Sequence, residues 1–128
     1  MLPKTVLDLV NQPFGRNEIC EYRNPEIQLR NLEPDIRKAG LGFIFARIAI
    51  LSGFKGEIPD INKEDITDLL LTRFQTISLN ELNFAFKIDR HGYHGEPTQH
   101  YQLFNAEYVA KVLNKYLEYK DGVRQRRF

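Results

Sequence analysis

The sequence predicts an all-α fold, a compact bundle of four to five helices with an irregular N-terminal third. Three observations support this fold class. Helix-capping side chains occur at three places, each just before apolar residues at helical spacing. Residues 83–88 alternate apolar and polar side chains, but they follow one of these caps and are therefore expected to be helical. Prolines and glycines interrupt the first third of the chain.

Length and charge limit the classes of protein to consider. The 128 residues suffice for one domain, which we divide into an irregular segment with short helices (1–34), a helical core (35–121) and a basic tail (122–128). Eighteen basic and 17 acidic residues give a net charge of +1, which excludes a histone-like polycation but not a local basic patch. The N-terminus lacks the pattern of a signal peptide, so we expect a cytoplasmic protein.

The irregular segment contains two predicted short helices. One covers residues 5–10. The other begins at Asn24-Pro25-Glu26, where a capping residue, a proline at the first helical position and an acid in the first turn favour a helix to about Leu32.

Residues 39–54 form the most apolar segment, and Arg47 is its only charge. A membrane span needs about 20 apolar residues, and an arginine inside it would be costly. We therefore expect a buried central helix and no membrane contact. Arg47 has three interpretations: a structural ion pair with another helix, a side chain that extends to the edge of the core, or an arginine that binds an anion in a cleft.

The three helix starts share one design, in which a side-chain oxygen caps a free N–H and an apolar pair fixes the angle of the chain. They are Asn62 with the pair Ile61 and Ile66, the capping box Ser78 and Glu81 with Ile77 and Leu82, and Asn105 with Phe104 and Val109. The apolar stripes that follow comprise Ile66, Leu69, Leu70 and Phe74, and later Val109, Val112, Leu113, Tyr116 and Leu117. Gly92 and Gly122 are expected to end the last two helices.

No catalytic motif is present. Cys20 cannot form an internal disulfide, and the nearby Glu18 and Glu21 oppose formation of its thiolate. The two serines, Ser52 and Ser78, lie in no nucleophile or phosphate-binding motif. We therefore predict a protein that is not an enzyme, with no catalytic residue and no cofactor.

All three histidines lie in one short loop, between His91 and His100. His91, His94 and His100, with Glu96, could in principle hold a metal ion, but their spacing matches no known zinc pattern. Two glycines and a proline favour a solvated or packed loop instead, so no metal is predicted.

Charge is polarised along the chain. From Lys111 onward there are six basic and two acidic residues, and Tyr108 and Tyr119 lie close to them for stacking on bases. The candidate nucleic-acid-binding residues are Lys111, Lys115, Lys120, Arg124, Arg126 and Arg127. The alternative is a solvated helix face, in which Glu107 pairs with Lys111, followed by a frayed tail.

Residues 57–81 have the opposite balance, with six acidic and two basic residues. Glu64, Asp65 and Asp68 are the candidate protein-binding residues. The alternative is that these carboxylates only favour the helix macrodipole near its N-terminus.

The second half of the chain resembles a known class of proteins. One helix carries Ser78, Glu81, Leu82, Ala85 and Phe86, and after a loop the next carries Ala106, Val109, Val112, Leu113 and Tyr116. This order, across residues 60–120, resembles uncharacterised small helical proteins of tailed phages and integrated mobile elements. The resemblance implies an accessory factor, often encoded near replication genes, and it supplies no catalytic residue.

Together these observations predict a non-enzymatic adaptor of a phage or mobile element. In the first hypothesis it is a replication accessory protein that contacts nucleic acid through its basic C-terminal end. In the second it is purely a protein-binding or structural component, such as an oligomer component or an inhibitor of a host factor. Both hypotheses predict a protein partner, and the sequence leaves homo-oligomerisation open.

Overall fold

The computed structural model describes residues 4–12, 14–21 and 25–127. Its elements are α1 (Lys4–Val10), α2 (Arg16–Glu21), two 3₁₀ turns (Pro25–Ile27 and Leu29–Asn31), α3 (Pro34–Leu51), α4 (Asp60–Arg73), α5 (Leu79–Arg90) and α6 (Ala106–Arg127). No strand occurs within these ranges, so the predicted all-α bundle is confirmed. No helix in the described ranges is long and apolar enough to cross a membrane.

Helix α6 supplies the centre of the bundle and contacts α2, α4 and α5. Its predicted stripe is confirmed, since Val109, Val112, Leu113 and Tyr116 are fully buried and Leu117 is partly buried. Helix α3 packs against α1 and α5 on the other side. The core therefore lies between α6 and α3, with α5 in contact with both.

Two of the predicted caps are confirmed. The backbone N–H of Glu81 donates to Ser78 Oγ at 3.2 Å at the start of α5. The N–H of Tyr108 donates to Asn105 Oδ1 at 3.0 Å at the start of α6. Gly92, with φ of 78°, follows α5 in the left-handed conformation that a helix end favours.

The predicted start of α4 is wrong. The helix begins at Asp60, because Pro59 takes the extended conformation of an N-cap (φ −58°, ψ 143°) three residues before the expected position. Asn62 is therefore already inside the first turn, and its Nδ2 donates to the carbonyl of Phe104 at 3.0 Å. Ile61 is 74% exposed, so it does not form the predicted apolar pair with Ile66.

The predicted end of the last helix is also wrong. Gly122 lies inside α6, which continues to Arg127, so the stretch predicted as a basic tail is helical over the described residues 122–127. Contacts with α2 hold this end in place: Val123 is fully buried, and Arg124 Nε donates to the carbonyl of Ile19 at 3.3 Å. Helix α2 itself was not predicted, although the neighbouring α1 was.

Helix α3 is buried on one face only. The buried residues are Gly40, Leu41, Ile44, Phe45, Ile48 and Ala49. Ile50 on the opposite side is 77% exposed, and Leu51 is 53% exposed. The predicted helix before α3 is replaced by the two 3₁₀ turns, and its proposed cap Asn24 lies outside the described residues.

Candidate functional site

The basic residues of α6 face inward more than the sequence predicts. Lys120 Nζ donates to Glu81 Oε2 at 2.6 Å, and both side chains are largely buried. Tyr116 donates its hydroxyl proton to the same carboxylate oxygen. Burial, followed by the negative charge of Glu81, raises the pKa of Tyr116 above its usual value of 10. Glu81 is therefore used to hold α6 against α5, and its side chain does not complete the predicted capping box. Its backbone N–H donates to both Ser78 Oγ and Asn80 Oδ1.

The other α6 cations also have protein partners. Lys115 Nζ lies 3.5 Å from Asp89 Oδ1 and 3.3 Å from the carbonyl oxygen of Glu96. Lys111 forms the predicted exposed pair with Glu107 at 2.9 Å. Arg124 is bonded to α2, as above, and the side chains of Arg126 and Arg127 lie outside the described part of the chain. Of the six candidate nucleic-acid-binding residues, the four with described side chains are thus engaged within the protein.

The acidic residues of α4 are in the opposite situation. Glu64, Asp65 and Asp68 are exposed, and none forms an ion pair with a described residue. Positions 61, 65 and 68 share one helix face, which places the exposed Ile61 beside two of these carboxylates. The structure therefore presents an acidic surface with an apolar side chain on it.

A groove of about 550 Å³ separates α3 from α4. Its apolar surface includes Leu41 and Phe45, and Gly42 leaves it open, since a Cβ at Gly42 would meet no atom within 4 Å. Its α4 wall carries the exposed acids Asp60 and Glu64, and Arg37, Lys38 and Lys63 also line it. A second hollow of about 370 Å³ shares Gly42 and Lys63 with the first and extends it along α3 to Ala46 and Ile50. We call these two hollows together the α3–α4 groove.

The three histidines do not converge. His91 is exposed, while His94 lies against the ring of Tyr119, with centroids 5.7 Å apart. His100 stacks on Phe54 at 3.9 Å; its Nε2 donates to the carbonyl of Ser52, and its Nδ1 accepts from Gln102 N–H. No group of three metal-ligating side chains occurs among the residues that the structure describes.

A smaller polar cleft, of about 270 Å³, lies where α3 and α5 end. It is lined by Leu51, Ser52, Asp89, Arg90, Pro97, Thr98, Gln99, His100 and Tyr108. Asp89 is 2% exposed and accepts hydrogen bonds from the backbone N–H and hydroxyl of Thr98, at 3.0 and 2.9 Å. The cleft's one carboxylate is therefore already paired.

Arg90 is the unpaired charge of this cleft. Its Nη1 is buried without a hydrogen-bond partner, and no described residue forms an ion pair with its guanidinium. Burial is the largest cause that lowers the pKa of Arg90, and the positive charge of Arg47 lowers it further. Arg47 itself is exposed and has no ion-pair partner in the described chain, so the predicted structural pair is not formed.

The sequence analysis missed this cleft and the α3–α4 groove. No role was predicted for Arg90, and Tyr108 was suggested only for stacking on bases. Arg47 was singled out as a lone charge in an apolar segment, but it does not line the cleft. Glu64, Asp65 and Asp68 were singled out, but the groove that Glu64 lines was not.

No protein-family model, curated protein or solved structure matches this chain. The resemblance to small phage proteins therefore stays a prediction, and functional arguments depend on the geometry above.

Proposed function

We propose that this protein is a non-enzymatic cytoplasmic adaptor that binds another protein through the α3–α4 groove and the acidic surface of α4. The partner segment that fits is an amphipathic helix, with apolar residues on one side and lysine or arginine at its edge. The observation that carries the proposal is the contrast between unpaired carboxylates on α4 and internally paired cations on α6.

The apolar part of the proposal rests on exposure. Ile50, which lines the groove, and Ile61, which lies beside Asp65 and Asp68 on α4, are each about three-quarters exposed. A groove of this kind can receive the apolar face of an amphipathic helix. Large apolar side chains that rim a groove are typical of protein-binding surfaces. A partner that covered the exposed Ile50 would remove apolar area from water, which stabilises the complex.

The electrostatic part rests on Glu64, Asp65 and Asp68. Charges that lack partners within the protein are available to steer a positively charged partner and to fix its register. A basic edge on the bound helix would face the α4 wall, while Lys38 and Arg37 on α3 disfavour a partner that is basic on both sides. This asymmetry gives the groove a preferred orientation for its partner.

Protein binding is favoured here over nucleic-acid contact through α6. Lys111, Lys115 and Lys120 would each have to leave a carboxylate in order to meet a phosphate. An accessory role in a phage or mobile element, as the resemblance implies, suits such an adaptor.

The test compares charge reversals at two surfaces. Wild-type protein, the variant E64K/D65K/D68K and the control D8K/E118K/D121K, which changes as many exposed acids elsewhere, are immobilised and exposed to a lysate of the source cell. A carbodiimide then joins carboxylates to neighbouring lysines, and mass spectrometry identifies the linked residues.

We expect a protein that is retained by the wild type and the control, is lost with the α4 variant, and has lysines linked to Glu64, Asp65 or Asp68. Equal retention by all three proteins, or links confined to other acids, would refute the proposal.

A further inference from the structure

We propose that the polar cleft at the ends of α3 and α5 binds a small oxyanion, a phosphate or carboxylate group of metabolite size, through Arg90. This site is separate from the α3–α4 groove. It does not depend on the proposed adaptor function.

The first support is the state of Arg90. A guanidinium has five N–H donors and no acceptor, and a buried one is normally paired, because an unpaired buried charge is costly. Arg90 is half-buried, one of its terminal nitrogens is fully buried, and no described residue accepts a hydrogen bond from it. An oxyanion in the cleft would supply the missing acceptors in the two-pronged geometry that arginine favours.

The second support is that the neighbouring carboxylate, Asp89, is not free to pair with Arg90. Asp89 precedes Arg90 in the chain, but its carboxylate already binds Thr98 and Lys115. Asp89 forms its ion pair with Lys115, whereas Arg90 forms none with a described residue. The cleft therefore keeps one guanidinium that an anion can pair with.

The third support is the set of neutral donors and the shape of the cleft. Tyr108 is buried, and burial raises its pKa, so its hydroxyl keeps its proton and can donate. The buried Ser52 hydroxyl faces Tyr108 but makes no hydrogen bond of good geometry. A volume of about 270 Å³ admits a small organic anion but not a folded segment of another chain.

His100 closes one side of the cleft without acting as a ligand. Its Nε2 must carry the proton, since it contacts the Ser52 carbonyl at 2.9 Å, and its Nδ1 accepts from Gln102. Both ring nitrogens are therefore used, which fixes the ring and leaves binding to Arg90, Ser52 and Tyr108.

The test is the thermal midpoint of the intact protein in inorganic phosphate and, separately, in succinate, each against sodium chloride at the same ionic strength. Four proteins are compared: wild type, R90Q, R90K and the control R73Q, whose arginine is exposed at the end of α4 and does not line the cleft. Isothermal titration gives the affinities.

We expect phosphate, succinate or both to raise the wild-type midpoint above that in chloride, and the effective anion identifies the preferred group. R90Q should weaken binding about tenfold or more, as expected for lost bonds to a charged group, and R90K about threefold, because a lysine keeps the charge but not the fork of donors. R73Q should bind within about twofold of the wild type. R90Q should fold at least as stably as the wild type without anion, because it removes an unpaired charge.

Two results would overturn the inference. One is a midpoint that responds to neither anion beyond the effect of chloride. The other is a response that survives in R90Q. If R90Q does not fold, R90K decides the matter, because it keeps the charge but loses the two-pronged guanidinium: unchanged affinity in R90K would then contradict binding through Arg90.

Discussion

Lys120 donates a hydrogen bond from Nζ to Oε2 of Glu81 at 2.6 Å, across the contact between α6 and α5. The lysine is 14% exposed and the glutamate 7%, so the pair belongs to the interior of the bundle. Tyr116 donates to the same oxygen. A residue that sequence pattern assigns to a nucleic-acid surface thus holds two helices together.

The first prediction concerns this pair. Replacing Lys120 with alanine leaves the Glu81 carboxylate buried with only the tyrosine hydroxyl, and should lower the free energy of unfolding by about 3 kcal/mol. Urea denaturation followed by circular dichroism measures the change. K111A is the matched control, since Lys111 pairs with Glu107 at the surface and its loss should leave the midpoint unchanged. Equal effects of the two substitutions would contradict a buried role for Lys120.

The second prediction concerns alkaline pH. The pKa values of Tyr108 and Tyr116 are raised in the folded protein, so both favour folding below pH 10 and this contribution is lost as pH rises above 10. Tyrosinate absorbance should show these two side chains ionising only when the helical signal is lost. Y116F should weaken the pH dependence, whereas Y101F, at an exposed position, should not. Ionisation of all tyrosines while the helical signal is intact would contradict the burial of Tyr108 and Tyr116.

The third prediction concerns two glycines of α3. A Cβ at Gly40 would overlap the buried Leu79 side chain of α5, so G40A should lower the free energy of unfolding by about 1–3 kcal/mol. A Cβ at Gly42 would meet nothing within 4 Å, so G42A should instead stabilise the helix by about 0.5–1 kcal/mol. Chemical denaturation of both variants measures these two opposite changes in the free energy of unfolding. A stable G40A protein would mean that α3 and α5 are not in close contact there.

The fourth prediction concerns DNA. Because Lys111, Lys115 and Lys120 are paired with carboxylates, binding to DNA should involve at most about two phosphates, and the slope of log affinity against log salt should be no steeper than about −2. Filter binding across a salt series measures this slope. A slope near −5, abolished by alanine at Arg124, Arg126 and Arg127, would instead favour the nucleic-acid hypothesis.

Local signals predicted much of the fold. Ser78 and Asn105 cap their helices as expected, because capping depends on side chains and amides only a few residues apart. The apolar stripe of α6 was predictable for the same reason, since helical spacing alone determines which residues share a face. Gly122 shows the limit of such signals. The helix continues beyond it because Val123 and Arg124 contact α2, which lies about a hundred residues earlier in the chain.

The candidate sites were less predictable because they depend on distant pairs. Glu81 and Lys120 are 39 residues apart, and Asp89 and Lys115 are 26 apart, so sequence alone could not show that these cations were engaged. The cleft at Arg90 combines four separate segments. By contrast, Glu64, Asp65 and Asp68 were identified from local charge, since a helix surface that is acidic in sequence remains acidic when it is exposed.

Hydrogen–deuterium exchange of the protein, free and bound to the partner captured through α4, measures directly where that partner sits. We predict slower exchange in α3 and α4, residues 34–51 and 60–73, with the C-terminal part of α6 unchanged. Protection confined to residues 111–127, with α3 and α4 unaffected, would contradict the assignment of binding to the α3–α4 groove.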